Sequence, residues 1–338
     1  MESRTALRIG MVGCGWQGRA LAEAVVRCES VRLIACADPD EAAACRVAAL
    51  SSEVSTHASV EALLAERDVD AIVIATPHHL LAPVALAALR EGKHVMAEKP
   101  LALNEHEAAE IEEAVAHAGV CYMAGYSFRF SMGRYVRELL DAGVAGEILA
   151  ITSSISVGPL NDGWIAYPET GGGPLLFIGS HLVDCILWFL DQEPIEVQAM
   201  VQKRDDTGAD ARSVFQITFA NEALAQCLVA QGASTFFYEI DIHGSAGKIS
   251  LRGRNFLQFE IEVSNHAVPT YGEPTIIRPS VRRDNIEMML VPELEEFASA
   301  IQERRAPTIT IADGRRVLRV LDAVMKSGRS NRPVLLSD

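Results

Sequence analysis

No apolar run in the chain approaches the roughly 20 residues that a membrane-spanning helix needs. None of the seven cysteines (14, 28, 36, 45, 121, 185, 227) belongs to a Cys-x-x-Cys or Cys-x-x-His unit. A membrane partner is therefore not expected, and neither a metal centre nor a disulfide framework has a spacing to build on. Positive charge is scarce: 30 Lys and Arg stand against 45 Asp and Glu, for a net charge of −15. The doublets Arg282-Arg283, Arg304-Arg305 and Arg315-Arg316 are isolated and lack interleaved aromatics, so no nucleic-acid partner is expected. With 24 Gly and 14 Pro in 338 residues, the chain is neither low-complexity nor collagen-like. Internal repeats and Ser- or Pro-rich linkers are absent as well. Met1-Glu2-Ser3-Arg4-Thr5 leads almost at once into a strand-like run and offers no signal-peptide core. Cysteines such as Cys36, inside the apolar run Leu33 to Ala37, behave as small hydrophobes in a reducing compartment. A cytoplasmic location is expected.

What is present is enough chain for two domains at roughly 150 residues each. Up to about residue 125, apolar runs alternate with helix-forming segments. The runs are Leu7 to Val12, Val31 to Ala37, Ala71 to Ala75, His94 to Ala97 and Val120 to Ala124; Leu80 to Arg90 and Glu105 to His117 are among the helices. This βα rhythm predicts a doubly wound parallel sheet covered on both faces. Beyond about residue 145 the period changes to alternation. Leu257, Phe259, Ile261 and Val263 in the strand expected over Phe256 to Val263, then Phe215, Ile217 and Phe219, and Tyr238, Ile240 and Ile242, each line one face, as in antiparallel strands. Asp205-Asp206-Thr207-Gly208 and Gly244-Ser245-Ala246-Gly247 are turn chemistry. Helices are expected over Pro174 to Leu190, Pro292 to Arg305 and Asp313 to Lys326. The reading is an α/β Rossmann domain over 1–125, then an α+β domain with a large, mostly antiparallel sheet over 126–338.

Gly13-Cys14-Gly15-Trp16-Gln17-Gly18 follows the first strand and opens a helix, and the second strand ends at Asp38, 20 residues beyond Gly18. A G-x-G-x-x-G in that context is a dinucleotide fingerprint. Gly13 permits the tight turn, Gly15 lets backbone approach a pyrophosphate, and Gly18 lets helix and strand pack closely, while the helix N-terminus offers N–H groups to phosphate. Asp38 accepts hydrogen bonds from ribose hydroxyls and repels a 2′-phosphate, which favours NAD over NADP; Asp40 adds a second negative charge.

Glu98 and Lys99 end the run that begins at His94, at the strand end where open α/β sheets bind ligands. Taken with this pair, the chain resembles the Gfo/Idh/MocA oxidoreductase family over nearly its full length. The resemblance rests on the glycine loop, Ala75-Thr76-Pro77, Glu98-Lys99-Pro100, Gly125-Tyr126-Ser127-Phe128-Arg129-Phe130, Gly146-Glu147-Ile148, Gly171-Gly172-Gly173, His181-Leu182-Val183-Asp184 and the closing Gly328 to Val334. It implies an oxidoreductase with Lys99 beside nicotinamide and the substrate's reacting oxygen, Glu98 on the cofactor's ribose, and Thr76, Pro77 and His79 on the nicotinamide side. An ammonium at Lys99 would stabilise a developing alkoxide. The resemblance further implies a second-domain sheet that often forms the contact of a homodimer or homotetramer.

Three departures bear on the substrate. Where the family often carries an Asp one turn before its catalytic His, this chain has Phe177. His78 and Leu81 replace Asn and His of the Pro-Asn-x-x-His segment, and Ser127 replaces a frequent Asn. His181 keeps its place as general acid/base, with Asp184 to orient it, and Phe177, His181, Asp184 and Trp188 are expected on one helix stripe. Tyr126, Arg129 and Trp164, with Phe177, His181 and Asp184, are the candidate substrate wall. These changes imply a pocket less polar than an inositol dehydrogenase's. Three readings stay open: an NAD-dependent dehydrogenase or reductase of a sugar, cyclitol or related secondary alcohol; a redox-neutral enzyme that recycles tightly bound NAD; and a non-catalytic dinucleotide-binding regulator.

Overall fold

The computed structural model describes residues 6–160, 163–255, 257–279, 284 and 286–336. Met1 to Thr5, Phe256 and the Arg282-Arg283 doublet lie outside the described residues. The chain divides into two compact units, 1–127 with 282–315 and 128–281 with 316–338.

In the first unit, β1 (Leu7–Val12), α1 (Trp16–Arg27), β2 (Val31–Ala37), α2 (Glu41–Ala48), β3 (Ser55–His57), α3 (Val60–Leu64), β4 (Ala71–Ile74), α4 (His78–Arg90), β5 (His94–Glu98), α5 (Glu105–Ala118) and β6 (Tyr122–Gly125) follow in order. The sheet runs β3-β2-β1-β4-β5-β6, parallel throughout. Its central strands are apolar on both faces because helices cover both: every residue of β4 is buried, and Ile9, Met11, Val95 and Met96 are fully so. The strand order reverses direction between β1 and β4, which places the ligand crevice at the C-terminal ends of those strands. Helix ends are set locally. Asn104 Oδ1 accepts from Glu107 N–H while Glu107 Oε2 accepts from Leu103 N–H, and Gly119 closes α5 at φ +65°.

The second unit holds α6 (Met132–Asp141), β7 (Ile148–Val157), α7 (Ser180–Leu190), β8 (Pro194–Lys203), β9 (Asp210–Phe219), β10 (Leu224–Gln231), β11 (Phe237–Gly244), β12 (Lys248–Gly253), β13 (Phe259–Ser264) and β14 (Thr275–Ile277). Toward the C-terminus come α8 (Val291–Glu303) in the first unit, α9 (Ile311–Ser330), whose residues from Arg316 onward belong to the second, and β15 (Val334–Leu335). The nine-stranded sheet runs β14-β13-β12-β11-β7-β10-β9-β8-β15, with β7 and β10 its one parallel pair. Alternation decides its faces: Phe215, Ile217 and Phe219 of β9 and Tyr238, Ile240 and Ile242 of β11 are buried, while Arg212, Gln216 and His243 are exposed.

Two expectations need correction. A single division after residue 125 does not describe 282–315, because α8 buries Leu294, Phe297 and Ala298 and packs on α1 and β2 of the first unit. The helix expected over Pro174 to Leu190 opens with a π-helical turn, Leu175–Gly179, before α7. Within α7, His181 and Asp184 are buried and Trp188 is half-buried; Phe177, on the π turn, is half-buried. Among the described residues, no helix is long and apolar enough to cross a membrane. All seven cysteines are free thiols.

Candidate active site

The turn after β1 is built on steric necessity. Gly13 has φ +88°, and a Cβ there would sit 2.6 Å from the Ala75 carbonyl oxygen; a Cβ at Gly18 would sit 1.9 Å from the Gly13 carbonyl oxygen. A side chain at Gly15 would meet nothing within 4 Å, so the backbone there faces open space. No side chain caps α1, which leaves its first-turn N–H groups directed at that space. Asp38 braces the loop: Oδ2 accepts from Cys14 N–H at 2.7 Å and Oδ1 from Asp40 N–H at 2.8 Å. Each oxygen retains a lone pair for a ribose hydroxyl. Asp40 is the N-cap of α2, accepting from Ala42 N–H at 3.0 Å. Trp16, the first residue of α1, is 84% exposed.

The ends of β4 and β5 complete this group. Thr76, Pro77 and His79 are half-buried where β4 passes into α4. The Thr76 Oγ1 is buried with no hydrogen-bond partner among the described residues. An orphaned hydroxyl, an uncapped helix start and an open glycine fit a bound dinucleotide, which would supply the missing partners. Gln17, on the first turn of α1, donates its amide to Glu98 Oε1 at the end of β5. The glycine-loop helix is thereby tied to the Glu98-Lys99 pair, and Lys99-Pro100 is a cis peptide bond. Burial pushes the Glu98 carboxyl up, opposed by Lys99 and by the Gln17 hydrogen bond. Burial pushes the Lys99 ammonium down to about 8, opposed by Glu98.

Sequence reasoning missed Glu293. It is fully buried in the first turn of α8, and neither carboxyl oxygen has a hydrogen-bond partner among the described residues. Burial first, then the Glu98 charge, pushes its pKa well above the ordinary carboxyl range. The signal was in the sequence, because Glu293 stands on the apolar stripe of Leu290, Leu294 and Phe297. A carboxyl whose folded-state pKa is raised holds its proton in the native state and loses it on unfolding, so stability falls as pH rises above about 4.3. Glu293→Gln removes that proton linkage. Its expected effect is a gain of about 1–3 kcal/mol at pH 8 and a flatter stability–pH curve, measured by urea unfolding between pH 5 and pH 9.

The second unit presents the other candidates. Arg129 and Asp184 were expected to wall a pocket, but the side chains are 5% and 0% exposed and form a buried ion pair. Arg129 Nε donates to both Asp184 oxygens at 3.1 and 3.0 Å and Nη2 to Oδ1 at 2.6 Å, with the guanidinium 5.3 Å from the Trp188 ring centroid. A guanidinium buried here needs a carboxylate at fork geometry, which Asp184 supplies. The His181 ring stacks on Phe128 at 4.1 Å and 9°. Phe177 is the half-buried side chain of an otherwise buried π turn, and Trp164 is half-buried on the short turn Trp164–Ala166. Tyr126, in the first unit, is fully buried.

The first unit is thus a nicotinamide-dinucleotide-binding domain of an oxidoreductase. Residues 7–126 match the oxidoreductase family with an NAD-binding Rossmann fold, and residues 134–250 match the GFO/IDH/MocA C-terminal domain. The chain belongs to the GFO/IDH/MocA family of NAD(P)-dependent oxidoreductases. It is 27% identical over 342 residues to inositol 2-dehydrogenase of Rhizobium meliloti, covering 98% of this chain and 99% of that one. It is 31% identical over 253 residues to dTDP-3,4-didehydro-2,6-dideoxy-alpha-D-glucose 3-reductase of Streptomyces violaceoruber, covering 69% and 73%. The fold matches that of a levoglucosan dehydrogenase in complex with NADH and L-sorbose, with a TM-score of 0.90, 22% identity and coverage of 99% and 100%.

Proposed function

We propose that the protein is an NAD-dependent dehydrogenase or reductase acting on a secondary alcohol or ketone carbon of a sugar, cyclitol or related small molecule. The observation that carries the reading is the hydrogen bond from Gln17 to Glu98, which ties the glycine-loop helix to the strand end bearing Lys99. Gly13, Gly15, Trp16, Gln17, Gly18 and Asp38 would hold the dinucleotide's adenosine and pyrophosphate portions, and Thr76, Pro77, His79, Glu98 and Lys99 its nicotinamide end. When bound, nicotinamide exchanges a hydride with the substrate carbon. Lys99 stabilises the charge developing on the reacting oxygen, and Lys99 and His181 handle the proton. Phe177 faces a substrate with fewer hydroxyls or an apolar side. The named activities of the relatives support the substrate class.

The preference for NAD follows from the Asp38 carboxylate. Asp38→Ala is expected to weaken NAD binding by about 10- to 100-fold, the loss of one or two charged hydrogen bonds, and to narrow the gap between NAD and NADP; calorimetric titration with both cofactors measures it. We also propose a cytoplasmic homodimer or homotetramer that buries the outer face of the nine-stranded sheet, where Leu149, Met200, Leu224 and Leu228 are exposed.

The test is a panel of pentoses, hexoses, anhydrosugars and cyclitols with NAD, and of the matching ketones with NADH, followed by NADH absorbance. Turnover of at least one member is expected. No turnover across the panel, with NADH still raising the melting temperature, would support a binding protein. NAD that co-purifies and survives desalting would support a redox-neutral cycle.

A further inference from the structure

We propose that Asp210 is a positioning residue, whose buried carboxyl fixes the glycine-rich lead-in that presents Phe177 and His181. The proposal rests on the reading of those two residues as substrate-facing. Asp210 opens β9 and is fully buried. Its Oδ2 accepts from Leu175 N–H at 3.0 Å, and Leu175 is the first residue of the π turn that carries Phe177 and runs on into α7 and His181. Its Oδ1 lies against Gly173: a Cβ there would come within 2.3 Å of that oxygen, and Gly173 has φ +76°. Backbone and carboxyl are in register only because residue 173 has no side chain. The Oδ1 has no hydrogen-bond partner among the described residues.

The anchor is itself held from the sheet side. Gln231 at the end of β10 donates to the Asp210 carbonyl oxygen at 3.5 Å while its own Oε1 accepts from Leu160 N–H at 3.0 Å. Around the carboxyl, Lys203 on β8 is the charged group that acts on it, the buried Ser213 hydroxyl of its own strand makes no hydrogen bond among the described residues, and the π turn contributes the Leu175 N–H. Burial pushes the carboxyl up to about 7. As a carboxylate it makes a charge-assisted bond to the start of a helical segment, and as a neutral acid it makes a weaker one. Burial outweighs that gain: local opening that exposes the carboxyl lets it ionise freely, so the lead-in to Phe177 and His181 loosens as pH rises through 7.

The test is hydrogen–deuterium exchange of the full-length protein, free of substrate, at pH 6 and pH 8, on wild type, Asp210→Asn and Asp210→Ala. Asp210→Ala is expected to lose about tenfold protection at residues 173–182, the worth of one buried cap, while β10 and β11 keep theirs. Asp210→Asn retains an acceptor, so it recovers most of the protection but loses the difference between pH 6 and pH 8. With an active substrate, Asp210→Ala raises KM by about tenfold and leaves NADH affinity unchanged. Wild-type protection in Asp210→Ala, or loss spread equally over the whole sheet, overturns the proposal. If the wild type turns over no panel compound, the functional reading fails, while the exchange data still decide the role of Asp210.

Discussion

Lys99→Ala is expected to lower kcat/KM by about a hundred- to ten-thousandfold, the usual range for loss of a positioned proton-transfer group, while NADH still binds. The separation follows from the architecture. In the proposed reading, phosphate and ribose are held by the turn at Gly13 to Gly18 and by Asp38, whose shape is set by glycine contacts and by the Asp38 hydrogen bonds to Cys14 and Asp40. The Lys99 amine stands at the end of β5, where burial brings its pKa to about 8 against the pull of Glu98. Below that pH it is an ammonium, suited to hydrogen-bond a carbonyl oxygen and donate a proton. Above it the free amine accepts one from a hydroxyl. In the direction of alcohol oxidation kcat/KM should rise with pH and level off above about 8, and in the direction of ketone reduction it should fall over the same interval. Lys99→Arg keeps the charge but cannot release a proton, so it should not restore oxidation. Initial rates in both directions between pH 6 and pH 10, with NADH affinity measured by fluorescence, check each part. A variant that keeps wild-type kcat/KM would remove Lys99 from the chemistry.

The largest expected loss of stability comes from Arg129→Ala, at about 3–5 kcal/mol. Asp184 is fully buried and accepts three hydrogen bonds from Arg129, so removing the guanidinium leaves a carboxylate in the protein interior with its main counter-charge gone. The cation's stacking on Trp188 is lost with it. The double variant Arg129→Met, Asp184→Leu removes both charges together and should recover most of the loss, because a buried ion pair gains little over packed apolar side chains. Denaturant unfolding of the three proteins measures this directly. If Arg129→Ala costs under about 1 kcal/mol, the pair behaves as an exposed one, and its interior placement is contradicted.

The nicotinamide-binding half was legible because its signals are local. β1 and β2 begin and end where their apolar runs do, since beyond Arg8 and Arg32 near their starts every residue is apolar, as expected for strands covered on both faces. The glycine loop is legible because Gly13 and Gly18 each answer a contact only a few residues distant or one strand away, while Gly15 leaves open space. β3 was missed for the opposite reason: Ser55, Thr56 and His57 carry no apolar period, and pairing with β2 alone makes them a strand. The return of 282–315 to the first unit depends on the tertiary partners of α8 and has no local mark. In the second half, His181 and Phe177 were named by pattern, but the π turn that carries Phe177 has no composition of its own. Asp210 stands just past the turn chemistry of Asp205 to Gly208 and was not singled out. The pairing of Arg129 with Asp184 was not legible, because sequence spacing does not say that two opposite charges 55 residues apart share one buried site.

The proposed reaction is direct hydride exchange between a carbinol carbon and nicotinamide. The most direct measurement uses the best substrate from the panel, deuterated at the carbon to be oxidised, with mass spectrometry of the reduced cofactor. One deuterium is expected in the NADH formed by the wild type, and with Lys99→Ala the same label should appear about a hundred- to ten-thousandfold more slowly. Deuterium released to water, or consumption of substrate with no reduced cofactor on the protein at any time, would contradict it.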